Sequence, residues 1–464
     1  MCKKIFLCFL LLLMILSPLN VYGQNQLPLQ ASAAILVEQT TGRVLYARNT
    51  HARMYPASTT KLLTALLVEQ YLDLDEIVVI GQEIRGMPAG FATNLHAEGE
   101  TITVRVLLKA LLIRSSNEAG RILALEVVRT VEGRRNIPYS EAKTRFSGLM
   151  NGKAGSLGAV NSNFNNPYGL HSDAHFTTAY DMALIARAFM DIPILVEIAG
   201  MLHFEGDSLG GRYYTEANVR QYSWTNTNLM LPGAVFGHPY VIGGRTGFTT
   251  PAGHCFVGMA YHNGLALVSV VLYSAEPDRW QDTRVLLDYG FINFNFREIA
   301  TEGQLLETVI IENPRLGDPD TLDILLPEGR VELLSHAEYA SIRHEITFDP
   351  LLLVDNNGDN TILRAPIENG ETVGSITFRT GNEIIFYAPV VAARQVHERT
   401  FDSDMDYYID MVLSNIFTRR ALPYWFGVFG TLFGIVGMSL AVTISRRARK
   451  QSRWDISEPR RYRR

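Results

Sequence analysis

The chain has 464 residues, a formal net charge of −5 and three cysteines. It is too long for one ordinary hydrophobic core, so we expect at least two domains. The cysteine count is too low for a disulfide framework of the kind found in small secreted domains.

The first 23 residues are predicted to be a secretory signal peptide. Two lysines precede an apolar run, Ile5 to Leu16, and Val21-Tyr22-Gly23 offers a cleavage site before Gln24. An uncleaved anchor is the alternative, and the shortness of the apolar run argues against it. Cleavage would leave Cys255 as the only cysteine, which excludes an internal disulfide and a thiolate zinc cage.

The segment Ser58-Thr59-Thr60-Lys61 places a lysine one helical turn after a serine. Side chains at i and i+3 share a helix face, so Lys61 can take the proton of Ser58. Pro56 breaks any earlier helix and an apolar run follows Lys61, so we predict Ser58 at a helix N-terminus, where free N–H groups favour negative charge. The same pattern recurs at Ser140 and Lys143, so the motif is weak when taken alone.

Two further motifs follow in the chain. Ser115-Ser116-Asn117 ends an apolar helical run, Val104 to Ile113, and Arg245-Thr246-Gly247 joins a cation, a hydroxyl and a glycine. No Ser-x-Asn and Lys/Arg-Thr-Gly motifs follow Ser140 at distances that would fit the same arrangement. The ordered set therefore indicates an acyl-transfer enzyme with Ser58 as its nucleophile.

The predicted elements run from strands to helices and back to strands. Residues 30 to 48 form a hairpin, and helical patterns dominate to about residue 200. Two strands, Cys255 to Tyr261 and Leu265 to Tyr273, flank the hairpin signal Asn263-Gly264, and a helix from Arg279 to Tyr289 follows. Because the strands at the two ends of this part are expected to pair in one antiparallel sheet, it is predicted to have an α+β fold.

Residues 299 to 395 are predicted to form a small all-β domain without catalytic residues. Its strand-like runs are Thr308 to Ile311, Leu322 to Leu326, Ile376 to Phe378 and Glu383 to Tyr387. Residues 396 to 420 are predicted to be a juxtamembrane segment, with a helix from Phe401 to Phe417.

Residues 421 to 444 contain no charged side chain and are long enough to cross a membrane as a helix. The tail from 445 to 464 holds nine basic and two acidic residues, a net +7, which predicts a cytoplasmic location. A nucleic-acid-binding tail is the alternative, and its juxtamembrane position argues against it. Subtracting this +7 and the two N-terminal lysines from the total of −5 leaves −14, so nucleic acid is not expected as a partner.

Together these motifs resemble those of the penicillin-binding, low-molecular-mass serine-type D-alanyl-D-alanine carboxypeptidases, whose Ser-x-x-Lys, Ser-x-Asn and Lys-Thr-Gly set they follow. The resemblance covers roughly residues 30 to 395. It includes the segments 33–46, 56–61, 166–170, 178–182, 226–229, 244–249 and 252–255. It implies a penicillin-binding/β-lactamase-like transpeptidase fold, with an antiparallel sheet plus a helical cluster over residues 24 to 298, followed by the small all-β domain as a spacer and a C-terminal transmembrane helix.

The resemblance also implies the reaction and the role of each site residue. The substrates are peptidoglycan stem peptides ending in D-Ala-D-Ala, β-lactam antibiotics are covalent inhibitors, and neither a cofactor nor a metal is expected. The implied roles are nucleophile for Ser58, general base for Lys61, proton relay for Ser115, positioning for Asn117, substrate binding for Arg245, Thr246 and Gly247, and an oxyanion hole from the backbone N–H groups of Ser58 and Phe248. Arg245 departs from the family, which has lysine there, but it keeps the positive charge.

Other functions find less support in the sequence. A serine β-lactamase would need a Glu-x-x-Leu-Asn segment for deacylation, which is absent, and a catalytically silent wall-binding protein would not need three competent motifs. His344-Glu345 and His397-Glu398 begin like zinc-protease helices but lack the second histidine. A triad with His171 and Asp181 lacks a Gly-x-Ser-x-Gly elbow.

Overall fold

The computed structural model of the chain describes residues 27–88, 95–210, 219–356, 361–416 and 422–454. The predicted signal peptide and the last ten residues of the predicted basic tail lie outside these ranges. Contacts divide the chain into two compact units, Met1–Phe296 with Leu333–His336, and Arg297–Glu332 with Ala337–Arg464. The segment boundaries expected from the sequence stay a prediction.

The first unit contains strands at both ends of its sequence and helices between them. In chain order its elements are β1 Ala33–Glu38, β2 Val44–Arg48, α1 Lys61–Tyr71, β3 Ile77–Val79, β4 Thr101–Thr103, α2 Val104–Ile113, α3 Asn117–Glu132, α4 Tyr139–Ser156, α5 Ala179–Met190, α6 Pro193–Gly200, β5 His203–Asp207, β6 Gln221–Thr225, β7 Val241–Thr249, β8 Gly253–His262, β9 Leu265–Ser274 and α7 Asp278–Asn293.

A five-stranded antiparallel sheet in the order β2-β1-β9-β8-β7 organises this unit. The sheet therefore joins strands from both ends of the unit, as the sequence predicted. The two-residue loop between β8 and β9 has positive φ at both Asn263 and Gly264, which matches the strand twist of a tight hairpin.

Both faces of the sheet are buried because successive side chains of a strand point in opposite directions. On β1, Ile35 packs into the core that holds the helices α1 to α6, whereas Leu36 packs into a second core with Trp280 and Leu286 of α7. The result is a sheet between a helical cluster and one covering helix, which agrees with the α+β arrangement expected from the sequence.

Helix α2 passes through the middle of the helical cluster. Eight of its ten side chains are buried, all except those at Arg105 and Lys109. A helix that is apolar almost all round must be surrounded by protein, so its C-terminal end lies inside the unit. The next turn leads into α3, whose N-cap Ser116 accepts a hydrogen bond from the Ala119 N–H at 3.1 Å.

The second unit is built on one seven-stranded sheet. The strands that follow α7 are β10 Phe294–Ala300, β11 Leu305–Glu312, β12 Thr321–Leu325, β13 Arg330–Ser335, β14 Ile342–Phe348, β15 Leu353–Asn356, β16 Thr361–Arg364, β17 Thr372–Thr380 and β18 Glu383–Ala392, with the short helix α8 His336–Ala340 before β14. The sheet order is β14-β17-β18-β12-β11-β16-β15, and β11 and β16 are parallel. The all-β character of this region agrees with the prediction.

Two helices end the described chain. α9 spans Phe401–Ile416, and α10 spans Leu422–Trp454. Within α10, residues 423–447 are long and apolar enough to cross a membrane.

Candidate active site

The fold brings the three sequence motifs together in the first unit. Ser58 lies in a 3₁₀ turn, Ala57–Thr60, and Lys61 begins α1 directly after it. The sequence predicted Ser58 at the N-terminus of the α-helix itself. The structure instead places it one tighter turn earlier, because Ala57 adopts a left-handed φ of 46°.

Lys61 is the centre of the hydrogen-bonding arrangement. Its Nζ lies 2.8 Å from Ser58 Oγ, 2.8 Å from Asn117 Oδ1 and 2.8 Å from the Tyr168 carbonyl oxygen. The amide and carbonyl oxygens can only accept, so a neutral amine donates its two N–H bonds to them. Its lone pair then faces the Ser58 hydroxyl, which is the orientation a general base requires.

The surroundings of Lys61 favour the neutral amine. The side chain is fully buried. Burial lowers the pKa of Lys61 well below its usual value, Arg245 lowers it further, and Glu118 raises it. Desolvation and a neighbouring cation both disfavour the ammonium form, so the neutral amine that a general base requires is favoured.

Arg245 lies on β7 beside the 3₁₀ turn and is only 1% exposed. Its Nη1 donates to the Leu112 carbonyl at 2.6 Å, and its Nε lies 3.4 Å from the Ser58 carbonyl oxygen. Burial lowers the pKa of Arg245 to about 9. Its Nη2 is buried and has no hydrogen-bond partner within the part of the chain that the structure describes.

The rest of the third motif packs against the Ser58 turn. The Thr246 hydroxyl donates to Thr227 Oγ1 at 3.0 Å. A Cβ at Gly247 would lie 2.9 Å from the Pro56 carbonyl oxygen and 3.1 Å from the Ser58 nitrogen. Gly247 therefore allows β7 to approach the nucleophile closely. The next residue, Phe248, is 56% exposed at the edge of the site.

Ser115 occupies a strained turn between α2 and α3. Its φ is 61°, a left-handed conformation that costs energy for a residue with a Cβ. Within the described ranges its hydroxyl has no hydrogen bond to Ser58 or Lys61. The structure thus places Ser115 next to Asn117 without joining it to the Lys61 network, and the relay role stays a prediction.

Two participants were not singled out from the sequence. The Tyr168 carbonyl is a backbone group, and only the Asn166-Pro167-Tyr168-Gly169 turn signal could have pointed to it. Thr227 contacts both Arg245 and Thr246, and its position within the family-like segment 226–229 was the only sequence signal for it.

The competing serine and histidine candidates lie elsewhere. Ser140 and Lys143 are exposed on the first turn of α4, and His344 is exposed on β14. Asp181 is buried and accepts from Ser162, whereas His171 packs against the ring of Tyr55. His171 and Asp181 therefore do not form a triad with Ser58.

Comparison with known proteins agrees with this geometry. The S11 peptidase family model, described as D-alanyl-D-alanine carboxypeptidase, matches residues 20–276, more than half of the chain. The chain belongs to this D-alanyl-D-alanine carboxypeptidase family. A second model, described as the C-terminal domain of penicillin-binding protein 5, matches residues 315–398. The family and the enzyme class predicted from the sequence are confirmed.

Individual relatives extend over most of the chain. The D-alanyl-D-alanine carboxypeptidase DacC of Escherichia coli is 29% identical over 80% of this chain and 85% of its own, and DacF of Bacillus subtilis is 25% identical over 81% and 88%. The fold is that of the carboxypeptidase DacD from Francisella tularensis, with a TM-score of 0.58 at 23% identity over 80% of this chain and 95% of that one. These relatives do not favour a β-lactamase or a silent binding protein.

Proposed function

We propose that this family member removes the terminal D-alanine of peptidoglycan stem pentapeptides through an acyl-enzyme on Ser58. The observation that carries the proposal is the Lys61 amine, 2.8 Å from Ser58 Oγ and held by two obligate acceptors. Such a base converts a weak hydroxyl nucleophile into one that attacks an amide carbonyl.

In the acylation step Ser58 Oγ bonds to the carbonyl carbon of the penultimate D-alanine while its proton passes to Lys61. The resulting oxyanion lies between the backbone N–H groups of Ser58 and Phe248. The C–N bond then breaks, and the departing amine receives the proton from Lys61 by way of the Ser115 hydroxyl. Asn117 orients Lys61 and the peptide. The products are free D-alanine and an ester on Ser58.

In the second step water hydrolyses the ester. Lys61 is neutral again once the leaving amine has taken the proton, so it can accept a proton from the attacking water. The acyl C–O bond to Ser58 then breaks, and Lys61 returns the proton to Ser58 Oγ. The same Ser58 nucleophile opens a β-lactam ring, in which the leaving nitrogen stays attached to the acyl group.

A labelled penicillin should attach to Ser58, and peptide mapping by mass spectrometry should locate it. We expect no label on a Ser58→Ala variant and full labelling of a Ser140→Ala variant, which removes the exposed serine of the second Ser-x-x-Lys pattern. Label that survives in Ser58→Ala would overturn the assignment.

Arg245 is proposed to bind the terminal carboxylate of the substrate, as the cation of the third motif. Arg245→Ala should lower kcat/KM for a peptide with a free C-terminal carboxylate by about tenfold or more, because a charge-assisted hydrogen bond is lost. Arg245→Lys should retain most activity. A C-terminally amidated peptide, measured at the same pH, is the control. An equal loss for both peptides would mean that Arg245 has only a structural role.

The helix from 423 to 447 is proposed to anchor the protein in the cell membrane, with the catalytic unit outside and the arginine-rich tail in the cytoplasm. The predicted signal peptide and the positive charge after the helix support this orientation. Protease added to intact spheroplasts should remove the catalytic unit and spare the tail. A protected catalytic unit would contradict the proposal.

A further inference from the structure

The loop between α4 and α5 presents two consecutive carbonyl groups to α1. The Thr64 hydroxyl donates to the Pro167 carbonyl at 2.5 Å, and Lys61 donates to the Tyr168 carbonyl at 2.8 Å. Lys61 and Thr64 are three residues apart and lie on one face of the helix. The loop is therefore hydrogen-bonded at two points to the face of α1 that carries Lys61.

Asn166 fixes the conformation of this loop. It is 3% exposed, and its Oδ1 accepts from the backbone N–H groups of Tyr168 at 3.3 Å, Gly169 at 2.7 Å and Leu170 at 2.9 Å. Its Nδ2 donates to the Leu170 carbonyl at 2.8 Å. Three donors converge on one oxygen, so the amide has a single orientation and the peptide group of Tyr168 is held in place.

A buried histidine connects the same loop to the nucleophile turn. His175 Nδ1 accepts from the Asn165 N–H at 3.0 Å, so its Nε2 carries the hydrogen and donates to Thr60 Oγ1 at 2.9 Å. Burial lowers the pKa of His175 to about 3, with smaller contributions from His171, Lys143 and Lys61. The ring is neutral at working pH, and it supports the loop without adding charge near Lys61.

We propose that Asn166 is a positioning residue for the general base, acting on Lys61 through the Tyr168 carbonyl. Of the two acceptors that hold the amine, Asn117 Oδ1 belongs to a recognised motif, whereas the Tyr168 carbonyl is placed by Asn166. Without the Tyr168 acceptor, one N–H of Lys61 is free to turn toward Ser58 and the lone pair turns away. This inference rests on the proposed role of Lys61 as the base.

The charged groups that face Lys61 come from two other elements. Arg245 on β7 lowers the pKa of Lys61, and Glu118 on α3 raises it. Neither is altered by a change at Asn166, so a shift in the pH dependence of acylation can be assigned to the Tyr168 carbonyl or to a charge introduced at position 166.

The test measures the acylation rate of the full-length protein in detergent with a chromogenic β-lactam, as a function of pH. Asn166→Ala should lower the maximal rate about tenfold or more through loss of orientation. It should also shift the acidic limb of the pH–rate profile, the range in which acylation slows as Lys61 becomes protonated, to lower pH. The reason is that the ammonium form of Lys61 loses a carbonyl partner. Asn166→Asp keeps the three accepted hydrogen bonds, loses the bond donated to the Leu170 carbonyl and adds a negative charge. Its maximal rate should stay within a few-fold of wild type, and its acidic limb should move up by about one pH unit.

Asn151→Ala is the matched control. Asn151 on α4 also holds a backbone segment, accepting from the Phe164 N–H at 2.8 Å and donating to its carbonyl at 3.1 Å, and among the described residues it has no hydrogen bond to Lys61. It should leave the acidic limb unmoved. An unmoved acidic limb in Asn166→Ala would overturn the inference and make Asn166 a folding residue only. A wild-type protein without acidic limb or label on Ser58 would instead contradict the proposed function.

Discussion

Replacing Lys61 by alanine should slow acylation of Ser58 by about a thousandfold or more. The change removes the only base within hydrogen-bonding distance of Ser58 Oγ among the described residues. In the wild type, acylation should rise with pH through the lowered pKa of Lys61, since only the neutral amine accepts a proton. The measurement is the rate constant for labelling by a chromogenic β-lactam between pH 5 and 10.

Lys143→Ala provides the control for this prediction. Lys143 is the exposed lysine of the other Ser-x-x-Lys pattern, and its loss should leave the acylation rate unchanged. An acylation rate within tenfold of wild type in Lys61→Ala would show that another group activates Ser58. A rate that stays independent of pH in the wild type would also contradict the role of Lys61.

Gly169→Ala should destabilise the protein by about 3 kcal/mol or more and should lower acylation at least tenfold. Gly169 has a φ of 87°, and a Cβ there would lie 1.8 Å from the Ala57 carbonyl oxygen and 2.9 Å from the Ser58 nitrogen. These neighbours are backbone atoms, so the nucleophile turn or the loop that carries the Tyr168 carbonyl must move. Urea unfolding and acylation kinetics measure the two effects.

Gly133→Ala separates the backbone strain from the steric clash. Gly133 also has a positive φ, 64°, but among the described residues no neighbouring atom lies within 4 Å of the position that a Cβ would take. The substitution should cost only about 1 kcal/mol and leave acylation unaffected. Equal effects of the two substitutions would mean that the close approach of Gly169 to Ala57 is unimportant.

The catalytic fold could be predicted because its signals are local and periodic. The hairpin residues Asn263-Gly264 determine a tight turn, and the strands on either side are long enough to be recognised. Helix α2, which is apolar apart from Arg105 and Lys109, could also be recognised as buried. The parallel pairing of β11 with β16 could not be predicted, because the two strands are about fifty residues apart and their pairing depends on the rest of the sheet.

Sequence motifs identified the side chains of the candidate site but not the backbone groups that complete it. Ser58, Lys61 and Asn117 are brought together as their spacing and family resemblance suggested. A backbone carbonyl such as that of Tyr168 has no sequence identity of its own, so only the folded loop reveals it. The burial of Arg245 was equally hidden, since a charged residue is normally expected at the surface.

Release of free D-alanine from a pentapeptide ending in D-Ala-D-Ala is the most direct test of the proposed activity. The full-length protein in detergent should release one D-alanine per peptide and leave a tetrapeptide, as measured with a D-amino-acid oxidase assay and mass spectrometry. Ser58→Ala should release none, and Ser140→Ala should match the wild type. Release of D-alanine by Ser58→Ala, or none by a wild-type protein that is labelled by penicillin on Ser58, would contradict the account.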